Sequence, residues 1–167
     1  MTGPAAEGDT ALAQISASLA DAIEASLAGW VTGCVERVVS AWVGAVPETV
    51  RAEAEIAGQA AAAEVGPVVR TLLLRDIDDQ SGTPLAILRR AVAYPTAVLL
   101  GAGVPPVRRD DYSLERFPAD IYDLTPANLA DVDPALAELG LAWGAAKAWS
   151  HRRRHAGPAG GPSGSGG

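Results

Sequence analysis

The sequence predicts an all-α protein: a compact bundle of four to five helices, the first two long, with an ordered irregular loop between the third and last. Three observations carry this expectation. Large apolar residues from Leu12 to Trp42 recur at steps of three and four, which keeps them on one face of a helix. A second run, Val50, Ala54, Ala57, Ala61, Val65, Val68 and Leu72, repeats that period with alanine at its three consecutive middle positions. Nowhere does the chain alternate apolar and polar residues as a half-buried strand requires.

In order, the chain opens on a short lead-in, residues 1–8, expected to be disordered, with Asp9 or Thr10 as the first N-cap. The stripe Leu12, Ile15, Leu19, Ile23, Leu27, Trp30, Cys34, Val38 and Trp42 then defines helix one. Gly29 and Gly33 mark a kink or a close contact in it. A second stripe, Val31, Val35, Val39 and Val43, widens the apolar arc, so this half should be covered on two sides. Pro47 suits the first turn of helix two, and Glu48 favours its dipole. The seam AGQAAAAEVG permits a close antiparallel neighbour, and Pro67 should kink or restart the helix. Arg75–Gly82 reads as a polar turn.

Thr83-Pro84 opens helix three with an N-cap and a proline at N1; the helix is bent at Pro95 and stops at Gly101 or Gly103. Val104-Pro105-Pro106-Val107 must be extended, because prolines lack a backbone donor and push the preceding residue out of the α region. Residues 110–124 form a loop with at most a turn of helix. Thr125-Pro126 and Asp133-Pro134 repeat the capping device for a short helix to Asp131 and a final helix to about Arg154. The organisation is therefore one helical domain, residues 9–156, followed by a disordered Gly/Pro/Ser tail, residues 157–167.

Composition narrows the function. The 167 residues contain only 5% aromatics, and much of the 49% apolar content is alanine, which buries little area. Stability then leans on close helix approach and on large anchors: Trp30, Trp42, Trp143 and Trp149. A net charge of −7 repels phosphate and argues against nucleic acid as a general partner. The single cysteine, Cys34, excludes an internal disulfide and suits a reducing compartment. No signal-peptide pattern opens the chain, and the most apolar window, Trp30–Val46, is too short to span a bilayer. The expectation is a cytoplasmic protein that does not insert in a membrane.

No motif reaches the standard of a catalytic, metal or cofactor site. Asp76, Asp78 and Asp79 lack the spacing of a calcium loop and read as self-capping turn residues. His151 and His155 share a helical face but have no third ligand nearby, and with Arg152, Arg153 and Arg154 they suit a basic helix end. Cys34 lies on the apolar stripe, where a buried structural thiol is expected.

The informative stretch is Thr83–Pro126, with six of the twelve prolines, all three tyrosines and the only phenylalanine. Within it, Arg89, Arg90, Arg108, Arg109, Asp110, Asp111, Tyr112, Arg116, Phe117, Tyr122 and Asp123, with Asp120 among them, supply the ingredients of a protein-recognition face. Equally, these arginines and aspartates could pair with each other and hold the loop to the bundle. The segments LRRAVAYPTAVLLGAGVPPVRRDDY, FPADIYDLTPANLADVDPAL and LAWGAAKAW resemble a group of small actinobacterial proteins over about Asp76–Arg154. That resemblance implies no activity and no catalytic residue.

The sequence thus favours a non-enzymatic helical module that binds a protein partner through the Arg/Asp/aromatic surface. A small-molecule binder or enzyme with a carboxylate-lined cleft is one alternative; an accessory nucleic-acid binder using Arg152–Arg154 is another. A homodimer is also expected on one argument: alanine covers the Leu12–Leu27 stripe poorly, and a two-fold partner would close it. The competing account fills the space with Leu88, Val92, Leu136, Leu139 and Trp143.

Overall fold

The computed structural model describes residues 4–74 and 84–155, with side chains over 10–73 and 88–153. The expected acidic turn Arg75–Gly82, the Thr83 cap and the tail 157–167 lie outside the described residues. Among the described residues every regular element is helical: α1 Pro4–Val43, α2 Glu48–Leu74, α3 Pro84–Ala91, α4 Ala93–Gly101, α5 Asp111–Arg116, a 3₁₀ turn Leu129–Asp131, and α6 Leu136–His155.

Helix α1 starts at Pro4, so the Asp9 or Thr10 cap is replaced by an earlier start: proline at N1 is pre-set for a helix, and two alanines and a glutamate follow it. It ends at Val43 because Gly44 takes φ +82° and donates its N–H to the Ser40 carbonyl at 2.8 Å. Helix α2 returns antiparallel to α1. Arg51 pairs with Glu36, Gly58 lies on the Ala28 backbone, Gly66 on the Glu24 side chain, and Arg70 reaches Asp21. At Gly58 an added Cβ would stand 2.8 Å from the Ala28 carbonyl oxygen, so the alanine seam does bring the two backbones close. Gly29 and Gly33, by contrast, face open space, and the expected close contact belongs to the glycines of α2. Helix α2 also runs unbroken through Pro67. Buried Val65, Val69 and Leu73 bracket that proline and hold both sides of it on the core.

The predicted third helix is two helices. Pro95 has no N–H for the Ala91 carbonyl, and the chain breaks one turn upstream, at Val92, whose own N–H goes to Arg89 at 3.3 Å. Leu88, Val92 and Leu99 all point into the core. Helix α6 runs antiparallel to α1: Asp133, just before α6, accepts from Ser26, and Trp143 Nε1 donates to Ser16 at 3.1 Å. Leu19, Ile23 and Leu27 have no exposed surface, and Leu136 is buried with them. The opening expected along the Leu12–Leu27 stripe is absent from Leu19 to Leu27, where the packing follows the competing account, while Leu12 and Ile15 are half-buried.

Candidate functional site

The hydrogen bonds that locate α6 and its lead-in on α1 fall at Ser26 and Ser16. From Trp30 onward, α1 has α2 along one side and the irregular chain 104–126 along another. Trp30, Val31, Cys34, Val35 and Val39 are buried there, but Trp42 and Val43 emerge, 48% and 53% exposed. The expectation that Trp42 and Trp149 are core anchors fails for both, Trp149 being 44% exposed. Periodicity places a residue on a face; it does not say where the covering partner stops.

Three local devices shape the irregular chain. Asp120, 4% exposed, accepts from the backbone N–H of Leu124 at 2.8 Å, from that of Thr125 at 2.7 Å and from the Thr125 hydroxyl at 2.7 Å. Thr125 is thus held by Asp120 and does not cap a helix. Asn128 caps instead, exchanging bonds with Asp131 in a capping box around the 3₁₀ turn. Tyr122, 2% exposed, donates its hydroxyl to the Val104 carbonyl at 2.6 Å, and Val107 N–H donates to the Ile121 carbonyl at 3.1 Å. These two bonds tie the extended Val104–Val107 strip to residues 121–122. Asp110 is the N-cap of α5, its carboxylate accepting from Ser113 N–H at 2.7 Å. That backbone bond holds the Asp110 carboxyl below its ordinary range.

Between α1 and this strip lies an open groove of about 610 Å³. Trp30, Val38, Ala41 and Trp42 form the helix wall; Pro105, Pro106, Val107, Leu124 and Pro126 form the other. The polar residues lining it are Arg37, Tyr122, Asp123, Thr125 and Asp131, together with the buried Cys34. Asp131 already serves the capping box, taking Ala127 and Asn128 N–H at 2.9 and 3.2 Å. Asp123 sits at φ +56° in the left-handed region, which aspartate tolerates better than most side chains. Burial pushes the Cys34 thiol up; the Arg37 guanidinium, 3.4 Å from its sulfur, offsets part of that rise, and Asp120 adds to it. A thiol held protonated is a poor nucleophile.

The sequence-predicted face divides into two groups. Arg109, Asp110, Asp120 and Tyr122 are structural: Arg109 donates to the Phe117 carbonyl at 2.8 Å, closing the C-terminal end of α5. Arg89, Tyr112, Arg116 and Phe117 come together as one outward cluster. The Arg89 guanidinium lies 4.7 Å from the Phe117 ring centre and that of Arg116 lies 5.3 Å from it; Arg116 also donates to the Tyr112 hydroxyl at 2.7 Å. Arg90, Arg108 and Asp111 are exposed around it, and Asp123 lies apart, on the groove. The α1 half of the groove was missed by sequence reasoning. The only signal for it was that an apolar helix end preceded the break at Pro47.

No group of three His, Cys, Asp or Glu residues able to hold a metal occurs among the described residues, and Asp76, Asp78 and Asp79 lie outside them. Arg153 stacks on Trp149 at 4.7 Å, while the side chains of Arg154 and His155 are outside the described set. None of the helices among the described residues is long and apolar enough to cross a membrane. No family model, no curated protein and no solved structure matches the chain.

Proposed function

We propose that this protein is a non-enzymatic helical interaction module whose binding face joins the α1–loop groove to the Arg89/Tyr112/Arg116/Phe117 cluster. The groove carries the reading: exposed Trp42, buried Trp30 and three prolines, Pro105, Pro106 and Pro126, line it together. Exposed aromatic and apolar anchors on a rigid, proline-braced rim suit an extended segment of another protein. Val107 ties the two regions together, since it lines the groove and Arg108 and Arg109 follow it directly.

A random dodecapeptide display library panned on the full chain tests this. Peptides sharing an apolar motif should be enriched, and binding should fall at least about tenfold on Trp42→Ala and on Val107→Asp, both at exposed positions. Enrichment that is equal on the variants and the parent would overturn the reading. A second reading, a small-molecule site, is favoured by the groove volume, which falls in the usual range for such sites, and by Arg37 as a cation among apolar walls. An organic acid that raises Tm in the parent but not in Trp42→Ala, with no peptide enriched, would select it.

A further inference from the structure

We infer that the Arg89/Arg116/Phe117 cluster is a carboxylate-recognition platform for an Asp- or Glu-bearing segment of the partner protein. This rests on the interaction-module reading and names the chemistry of the partner. Among the described residues elsewhere, two arginines meet carboxylates, Arg51 with Glu36 at 3.4 Å and Arg70 with Asp21 and Glu24, while Arg37 donates to the Gly33 carbonyl and the Cys34 sulfur. Around Phe117 the pattern differs. Arg89, Arg109 and Arg116 converge on one residue, two on its ring and one on its carbonyl, and among the described residues none of them has a carboxylate within ion-pair distance. This holds although Asp110, Asp111 and Glu115 stand beside Arg109 and Arg116 in sequence. Asp110 is committed to capping α5.

Stacking on an aromatic ring holds a guanidinium in place while leaving N–H edges for a bidentate contact to a carboxylate. Arg89 and Arg116, both exposed, are so placed, and Arg116 is fixed further by Tyr112. Arg109 does not need to touch the ligand: it holds Phe117 by its carbonyl and adds positive charge beneath the platform. From their distances to the shared ring centre, the two guanidinium carbons are at most about 10 Å apart, a span that three extended residues bridge. Two acidic residues two or three apart would therefore reach both. A polyphosphate chain is the poorer fit, because its dense charge meets the repulsion of a net −7 molecule, whereas two carboxylates on a peptide meet far less.

The experiment is a peptide array in a Gly/Leu/Pro background, with pairs of Glu at every spacing and a Gln counterpart for each, probed with the full chain. The best Glu peptide is then titrated in solution beside an oligo-dT strand and a phosphotyrosine peptide. Glu pairs two or three apart should bind at least about tenfold more tightly than their Gln counterparts, and the difference should shrink between ~20 and ~150 mM salt. Arg89→Gln with Arg116→Gln should erase it, with an unchanged circular dichroism spectrum; Arg116→Lys should retain only part. Equal binding of Glu and Gln peptides, no effect of the double variant, or tighter binding of the oligonucleotide or phosphopeptide would each overturn the inference. If groove-dependent peptides survive while Glu and Gln are indistinguishable, the carboxylate assignment falls alone.

Discussion

Tyr122 shows how much one side chain organises here. Its ring is buried against the loop, and its hydroxyl holds the Val104 carbonyl, so it fixes the floor of one groove wall. Tyr122→Phe removes the donor and leaves a buried acceptor, which should cost roughly 1–2 kcal/mol in urea unfolding. The same burial raises the phenol above its ordinary value. A raised folded-state value means that the contribution is complete below the unfolded-state value, about 10, and disappears as pH climbs through the higher folded one. Stability should therefore fall steeply above pH ~10, and Tyr122→Phe should flatten that fall. Tyr94 keeps part of the slope, since its bond to the Glu64 carboxylate also raises its phenol. An identical alkaline decline in parent and variant would contradict the assignment. Tyr122 and Asp123 were both expected on a recognition surface, yet Tyr122 is buried and its neighbour Asp123 is exposed. Composition identified the loop as the informative stretch, but hydrogen-bond partners eighteen positions away are not visible in it.

At the scale of elements, the α1–α2 hairpin is set by glycines whose roles differ although all are helical. Gly58→Ala gains helix propensity of about 1 kcal/mol, but its Cβ would press on the backbone of Ala28, which cannot move aside as a side chain could. The net effect should be a loss of roughly 1–3 kcal/mol. Gly29→Ala meets nothing within 4 Å and should stabilise by about 0.5–1 kcal/mol. Chemical denaturation of the two variants checks the pair, and a gain at both positions would mean that the hairpin is looser than described. Much of this level was legible in the sequence: the helical period, the breaks at Pro47 and Pro95 and the antiparallel seam all follow from residue type and spacing. On paper Gly29 and Gly33 were the glycines expected to mark a kink or a close contact, because they weaken a helix that carries a strong apolar stripe. Which glycine meets a neighbour depends on helix rotation and depth, and spacing alone does not encode those. The groove stayed hidden for a related reason, since its walls are a helix end and a loop more than sixty residues further along the chain.

At the scale of the whole molecule, burial along α1 decides how the bundle closes. A stripe left open by an alanine-rich neighbour would call for a second copy of the chain. Instead, α6 crosses back over it, with Leu136 buried and Leu139 and Trp143 packed against the core, while Leu88 arrives from α3, Val92 from the break after it and Leu99 from α4. The two accounts make opposite predictions for one substitution. In a dimer joined through the stripe, Leu19→Glu would separate the copies and leave a folded monomer. In this packing the glutamate enters a site with no exposed surface and no cationic partner among the buried residues around it. It then loses about 2–5 kcal/mol of leucine packing and adds the cost of burying a carboxylate, which together rival the whole stability of a domain this size. The expected outcome is loss of the cooperative thermal transition and of far-ultraviolet helicity at 25 °C, with ultracentrifugation showing expanded or aggregated chains. A well-folded, compact Leu19→Glu monomer derived from a parent dimer would reverse the conclusion and return the stripe to the surface.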